Sequence, residues 1–255
     1  MTADDTAPMK SVTTALQILE TLQEAGTAGV SEIADASGQP KSTVHRHLDT
    51  FRECGYVVKE DRSYSVSLKT LRLASSALSR QLVYPVTKSV VNELAAETGE
   101  SAAVAVEERG RGVYLYYDRT DQAVRTDARI GIRLHLHCTG AGKAIFAHLP
   151  EERRNAIVEA HGLPAKTAQT ITDRGELEDE LAEIRETGIA FDDEERVDGM
   201  RGVGTPIRNR ETGELLGALT VAGPTRRING DRFREELPDL LRRAAKMVEV
   251  NITYS

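Results

Sequence analysis

From residue 11 the apolar positions recur at intervals of three and four: Val12, Ala15, Leu16, Leu19 and Leu22. That spacing places them on one face of a helix over 11–25, with Ser11 as its N-cap and Gly26 as its stop. A second helix is predicted from Ser31 to Gly38, with Ile33 and Ala34 inward. Gly38-Gln39-Pro40 breaks it, and Pro40 opens a third helix at a position where the missing N–H costs nothing. This third helix runs from Lys41 to Phe51. Val44, Leu48 and Phe51 share one face, while Lys41, Ser42, Thr43, His45, Arg46 and Asp49 lie off it. Two helices joined by a short glycine-containing turn form a helix-turn-helix. The period then drops to two. Tyr64, Val66 and Leu68 alternate with polar residues, and Tyr56–Lys59 precedes them across the turn Glu60–Ser63. A strand hairpin, or wing, is expected there.

Leu71, Ala74, Leu78 and Leu82 make a further stripe on a helix over 69–83, which has no folding partner within so small an N-terminal domain. It reads as an inter-domain linker, punctuated by Pro85. Beyond it strands and helices alternate. A helix over 86–98 stops at Gly99, and strands follow over 102–107 and 113–118. Asp173-Arg174-Gly175-Glu176 resembles a capping box and opens a helix that ends at Gly188. Two strands over 203–208 and 215–222 precede a last helix over 231–251. The expected fold is α+β: a tail over 1–9, a winged helix-turn-helix over 10–68, the linker helix over 69–83 and a second α/β domain over 84–255.

At 255 residues the chain suits two domains. No apolar run approaches a membrane span, and residues 1–9 resemble neither a signal nor a transit segment, so a cytoplasmic protein without membrane partners is expected. Cys54 and Cys138 fall in different domains, and a disulfide between them is not expected. The net charge of −7 argues against nucleic acid until its placement is considered. Residues 1–40 carry one basic and six acidic side chains; residues 41–80 carry eight basic and four acidic ones, a local +4. The basic excess coincides with the helix-turn-helix, where it can attract phosphate.

The segments SVTTALQILETL, VSEIADASGQPKSTVHRHLDTFRECGYV, LHLHCTGAGKAIFAHLP, FDDEERVDGMRGVGTPIR and LLGALTVAGP occur in this order. Together they resemble the IclR family of transcription regulators across nearly all of residues 10–250. The resemblance implies a GAF-like effector domain behind the winged domain, assembly as homodimers or tetramers, and binding of palindromic double-stranded promoter DNA. It also implies control by a small effector, typically a carboxylate or aromatic acid. The chain departs from the family at Gly202, often Cys or Ser, and at His135, often Pro. Both lie in segments expected near the ligand. Gly202 leaves extra room, so an organic or sugar acid larger than two or three carbons is expected.

Within the third helix Lys41, Ser42, Thr43, His45 and Arg46 are placed to enter a major groove, with Ser31 and the wing-tip Arg62 beside them. Thr139-Gly140-Ala141-Gly142-Lys143 fails as a phosphate loop, because His137 and Ala144 occupy positions that need Gly and Ser or Thr. It reads instead as a helix start whose N–H groups face an anion, or as a close-packed turn. The resemblance carries a ligand role onto Gly140 and Ala141. It places Asp192 at the pocket rim, with Met200, Gly202, Thr220 and Ala222 as lining and Ala123 and Thr126 closing it. Thr220 is expected to offer its hydroxyl to the ligand. His135, His137 and Cys138 form the one cluster with metal-ligand chemistry, but no metal or cofactor is expected. Asp192 to Glu195 lacks an accompanying nucleophile, so no enzyme is expected.

Overall fold

In the computed structural model, residues 8–253 are described, so the tail expected over 1–9 lies outside them except for Pro8 and Met9. Met9 is already tied in, its carbonyl accepting from Val12 and Thr13 at the first helical turn. The chain divides into two compact units, which part between Ala77 and Leu78.

The first unit is built from α1 (Lys10–Ala25), the short strand β1 (Thr27–Ala28), α2 (Val30–Ser37), α3 (Lys41–Glu53), β2 (Val57–Glu60) and β3 (Ser63–Val66). Its core is small and continuous: Ile18, Leu22, Ile33, Val44, Leu48, Val57 and Tyr64 are buried together. Gly38 ends α2 in the left-handed region (φ 66°), and Pro40 caps α3, whose first bonds run from Thr43 and Val44 to the Pro40 carbonyl. β3 is central in a three-stranded antiparallel sheet, between β1 and β2. β1 has only two residues, too short for its alternation to show in the sequence.

The segment 69–83 is not one helix. α4 covers Thr70–Leu78, and α5 starts afresh at Val83 and runs to Thr98. The reason is Pro85. In a continuous helix its ring would clash with the carbonyl of Gln81 and its missing N–H would cost a bond. Restarting at Val83 puts Pro85 in a first turn, where that N–H has no partner in any case. Leu82, expected on the linker stripe, instead precedes α5 and is exposed. Leu71 and Leu73 on α4 are also exposed, whereas Leu78 packs on the core of the second unit.

The second unit continues with β4 (Ser101–Glu108), β5 (Arg111–Arg119), β6 (Arg133–His135), α6 (Gly140–Ala147), α7 (Glu151–His161), α8 (Arg174–Thr187), β7 (Ala190–Asp193), β8 (Met200–Arg208), β9 (Leu215–Pro224) and α9 (Leu237–Thr253). The strands form one antiparallel sheet in the order β6-β5-β4-β9-β8-β7. Asp173 caps α8 as its sequence predicts, accepting from the Glu176 N–H at 3.0 Å. Both faces of the sheet are covered, and the strands alternate accordingly. Val104, Val203, Leu219 and Val221 point into a core of large residues with α5 and α9. Their neighbours Ala103, Ala105 and Ala218 pack on the α6 and α8 side.

On that second side the central strands carry almost nothing bulky: Ala103 pairs with Thr220, Gly204 with Thr220, and Gly202 with Ala222. A helix can therefore come down onto the backbone itself. A Cβ on Gly204 would lie 2.2 Å from the carbonyl carbon of Gly140 and 2.6 Å from the Ala141 nitrogen; one on Gly140 would lie 2.9 Å from the Gly204 nitrogen. The start of α6 thus rests on β8 with no side chain between them. We predict that Gly204→Ala lowers stability by roughly 1–3 kcal/mol or more, because two backbones must separate. Thermal unfolding followed by circular dichroism tests this; an unchanged midpoint would show that α6 can lift freely.

Candidate DNA interface and effector cavity

On the first unit, burial of Val44 and Leu48 turns the opposite face of α3 outward. Lys41, Ser42, His45 and Arg46 are exposed and Thr43 is half-buried, so the five predicted residues share the helix's solvent side. Ser31 is exposed in the first turn of α2, and Arg62 stands at the tip of the β2–β3 turn beside Asp61, which adopts φ 52°. The hairpin tip closes on the start of α2: the Arg62 carbonyl lies 3.5 Å from where a Gly29 Cβ would be. His45 is already oriented, its Nδ1 3.0 Å from Asp49 Oδ2, while Arg52 approaches the same carboxylate at 3.6 Å. Asp49 therefore fixes the imidazole's direction, a role the sequence reading did not assign.

On the second unit the small-residue face of the sheet leaves a cavity beside the start of α6. Ser101, Ala103, Thr220, Ala222 and Gly202 form its floor. Asp192 of β7 stands next to Gly202, its register partner. Tyr114 and Tyr117 from β5, Thr126 and Ala128 from the following segment, Arg196 from the β7–β8 connection and Met200 at the start of β8 enclose the rest. Seven of the nine predicted ligand residues line this space: Thr126, Gly140, Asp192, Met200, Gly202, Thr220 and Ala222. Two do not. Ala141 is 1% exposed and belongs to the α6–α8 core, and Ala123 is buried in the Thr120 turn, its N–H bonded to the Thr120 carbonyl.

The residues missed from sequence include Tyr114, Tyr117, Ser101, Ala103, Thr139 and Arg196. The alternation of small residues along β4 and β9 was the available signal. Thr220's role also needs correction: its hydroxyl donates to the Val203 carbonyl at 2.8 Å, leaving only its acceptor side for a ligand. Thr139 likewise accepts from the Gly142 N–H at 2.9 Å as the cap of α6. The free volume is about 40 Å³, room for about three or four waters at roughly 10–15 Å³ each. The larger acid expected from Gly202 does not fit without an opening, although a Cβ at Gly202 would meet Asp192 and Ala222 only at ordinary contact distance.

Under this cavity lies a buried charge cluster. Lys143, on the second turn of α6, is fully buried, and its ammonium binds Glu180 of α8 and Glu195. One ammonium offsets one carboxylate, and burial holds the Glu195 acid up at about 7. Its Oε2 has no partner. The turn that carries Glu195 is pinned from the other side, since Asp192 Oδ1 accepts from the Glu195 N–H at 2.9 Å and the Arg196 N–H at 3.3 Å. Burial raises Asp192 to about 6, against the pull of Lys143 and those two N–H groups.

His135, His137 and Cys138 do not converge on a metal. The His137 Nε2 meets the Pro164 carbonyl at 3.2 Å, and burial pushes the Cys138 thiol up to about 12. Among the described residues no three His, Cys, Asp or Glu side chains are arranged to hold one, and no helix is long and apolar enough to cross a membrane.

A helix-turn-helix with a wing, followed by an antiparallel α/β unit with a small cavity beside its sheet, defines a ligand-responsive transcription regulator. Residues 11–61 match the IclR helix-turn-helix domain and residues 75–250 the bacterial transcriptional regulator IclR C-terminal family. The chain belongs to the IclR family. It is 34% identical over 258 residues to the acetate operon repressor of Salmonella typhimurium, covering 99% of this chain and 93% of the relative. It is 29% identical to the probable HTH-type regulator ArcR of Halobacterium salinarum, covering 95% and 93%. The crystal structure of Thermotoga maritima IclR superposes with a TM-score of 0.79 at 27% identity, covering 96% of this chain and 99% of that one. An IclR homologue from Microbacterium hydrocarbonoxydans, complexed with 4-hydroxybenzoate, shares the fold at a TM-score of 0.82 and 24% identity, covering 96% and 100%.

The raised carboxyls give a pH prediction. Folded Asp192 keeps its proton to about 6 and Glu195 to about 7, whereas unfolded they release it near 3.8 and 4.5. Between those values the folded state binds more protons, so stability falls as pH rises. Denaturant unfolding across pH 4–7 should show this decline. Asp192→Asn, which keeps both backbone bonds, should make the decline shallower and leave the share due to Glu195; an equal slope in the variant contradicts the assignment.

Proposed function

We propose that this chain represses or activates transcription as a homodimer or dimer of dimers in the cytoplasm, and that a small organic acid bound beside Asp192 and Arg196 sets its grip on promoter DNA. The observation that carries the reading is the pairing, in one chain, of an exposed basic helix face with a small cavity lined by Arg196 and Arg201. Residues 10–68 serve as the DNA-binding domain, 84–255 as the effector domain, and 69–83 as the connection. Lys41, Ser42, Thr43, His45 and Arg46 face the major groove, with Ser31 and Arg62 at its margins. Exposed Leu71 and Leu73 on α4 support dimerisation there, since each buried leucine contributes roughly 1.5–3 kcal/mol over exposure.

In the cavity an acid is held by Arg196, by the opening N–H groups of α6 and by a protonated Asp192, which donates to it. Binding, rather than turnover, is the proposed activity: Thr139 and Thr220 spend their hydroxyls on the backbone, and Cys138 stays a thiol. An effector shifts DNA affinity only if one arrangement of the dimer binds it better.

Gel-shift titration with the chain's own upstream DNA tests the first half. Arg46→Ala should cost roughly 1–3 kcal/mol if it reads a base. Leu71→Asp combined with Leu73→Asp should give monomers in light scattering and weaken the shift; normal dimers would remove α4 as the contact. A thermal-shift screen of organic and sugar acids, repeated on Ala222→Phe, tests the second half. Affinity for a bound acid should rise as pH falls through about 6, where Asp192 gains its proton. Stabilisation that is equal in the blocked variant places the site elsewhere.

A further inference from the structure

Arg196 separates two cavities. On one side is the small space beside Asp192; on the other is a second cavity of about 350 Å³ that also borders Asp127, Arg129, Arg133, Lys166 and His135. Cations outnumber Asp127 in the outer space, with Arg133 paired to Glu108 and Arg129 and Lys166 left as its further charges, and His135 does not add to them because burial lowers it to about 4. Arg196 and Val197 line both cavities, so they form the wall between them.

The wall is latched by one ion pair. Arg196 Nη2 meets Asp127 Oδ1 at 2.5 Å. The two partners differ in setting: the Arg196 side chain is 17% exposed and the Asp127 side chain 60%. Arg196 is anchored further by its N–H bond to Asp192. Asp127 sits midway along the irregular segment between β5 and β6. That segment is tied at its ends, through Ala123 to Thr120 and Gly131 to Tyr114. Its Thr126 and Ala128 line the inner cavity on either side of Asp127. A carboxylate from an irregular segment therefore occupies the guanidinium that an acidic ligand needs.

We propose that Asp127 is a resident carboxylate that the effector's own carboxylate displaces from Arg196, and that the effector then occupies the outer cationic cavity as well as the inner one. This rests on the acid-sensing reading above and adds the ligand's shape and charge. The site takes an acid longer than the inner cavity holds, and a second anionic group on it would meet Arg129 and Lys166. Exchange of one carboxylate for another keeps the charge on Arg196 constant, so neither bound state leaves it unpaired. It also frees the 121–131 segment, which ties occupancy of the site to a change at the surface.

Acetate, the minimal carboxylate, is the probe, titrated against chloride at constant ionic strength. Hydrogen exchange of the 121–131 amides is the readout, on the full-length protein. In the parent, acetate should raise exchange in that segment. In Asp127→Asn, exchange should start high, and acetate should bind with a two- to fivefold lower midpoint by thermal shift, about what an exposed ion pair contributes. Arg196→Gln should lose the acetate response, and Arg196→Lys should retain part of it, which separates loss of the charge from general loosening. If acetate leaves the parent's exchange unchanged, or if Asp127→Asn responds at the parent's concentration, the exchange is refuted. Operator release by an acid with 121–131 still protected would leave the sensing reading standing and remove this inference alone.

Discussion

Where α6 begins, the peptide backbone of Gly140 lies directly against that of Gly204, and no other pair of residue types permits the contact. Because the helix sits that low, Lys143 on its second turn is driven inside rather than out. A buried ammonium needs carboxylates, and Glu180 and Glu195 supply them. Breaking such a cluster by removing one member typically costs about 3–5 kcal/mol, since it strands a buried charge. The cluster in turn fixes the turn after β7 that carries Arg196, and Asp192 of β7, which accepts from that turn's N–H groups, stands beside it at the cavity. The placement of Asp192 and Arg196 thus descends from a glycine contact at the edge of the same cavity.

The two units of the chain use the same economy in opposite directions. In the first, bulky Val44 and Leu48 pull one face of α3 inward and leave its cationic face outside. In the second, the sheet is asymmetric: valines and leucines fill one side, while alanines and glycines on the other admit both a close helix and an enclosed space. Polar groups around that space are mostly committed to the backbone, so its specificity rests on the few that are not.

Much of this was legible in sequence. The α1–α3 helices followed from apolar spacing, Gly38 and Pro40, and the capping of α8 from Asp173 and Glu176. Seven of the nine ligand residues derived from family resemblance line one cavity. What escaped depends on contacts far apart in the chain. Lys143 meets carboxylates 37 and 52 positions away, and no local pattern announces them. Ala141 was expected at the ligand because it follows Gly140, but a helix turns by about 100° per residue. The step from one residue to the next carried it into the core. The single linker helix failed on Pro85, read as punctuation after the helix when it sits in the first turn of the next one.

The order of strands has a bearing on synthesis. In the first unit every core partner lies within about sixty residues of chain. In the second, β4 near the start pairs with β9 near the end, Ser101 opposite Ala222, and α5 packs beside α9 in one core. Non-local pairing of this kind closes late. On the ribosome, which releases the N-terminal part first, the helix-turn-helix can fold while the sensing unit still lacks its central strand. A nascent chain thus carries a finished DNA-reading surface before it has any means of sensing, and only the emergence of β9 and α9 brings the two into balance.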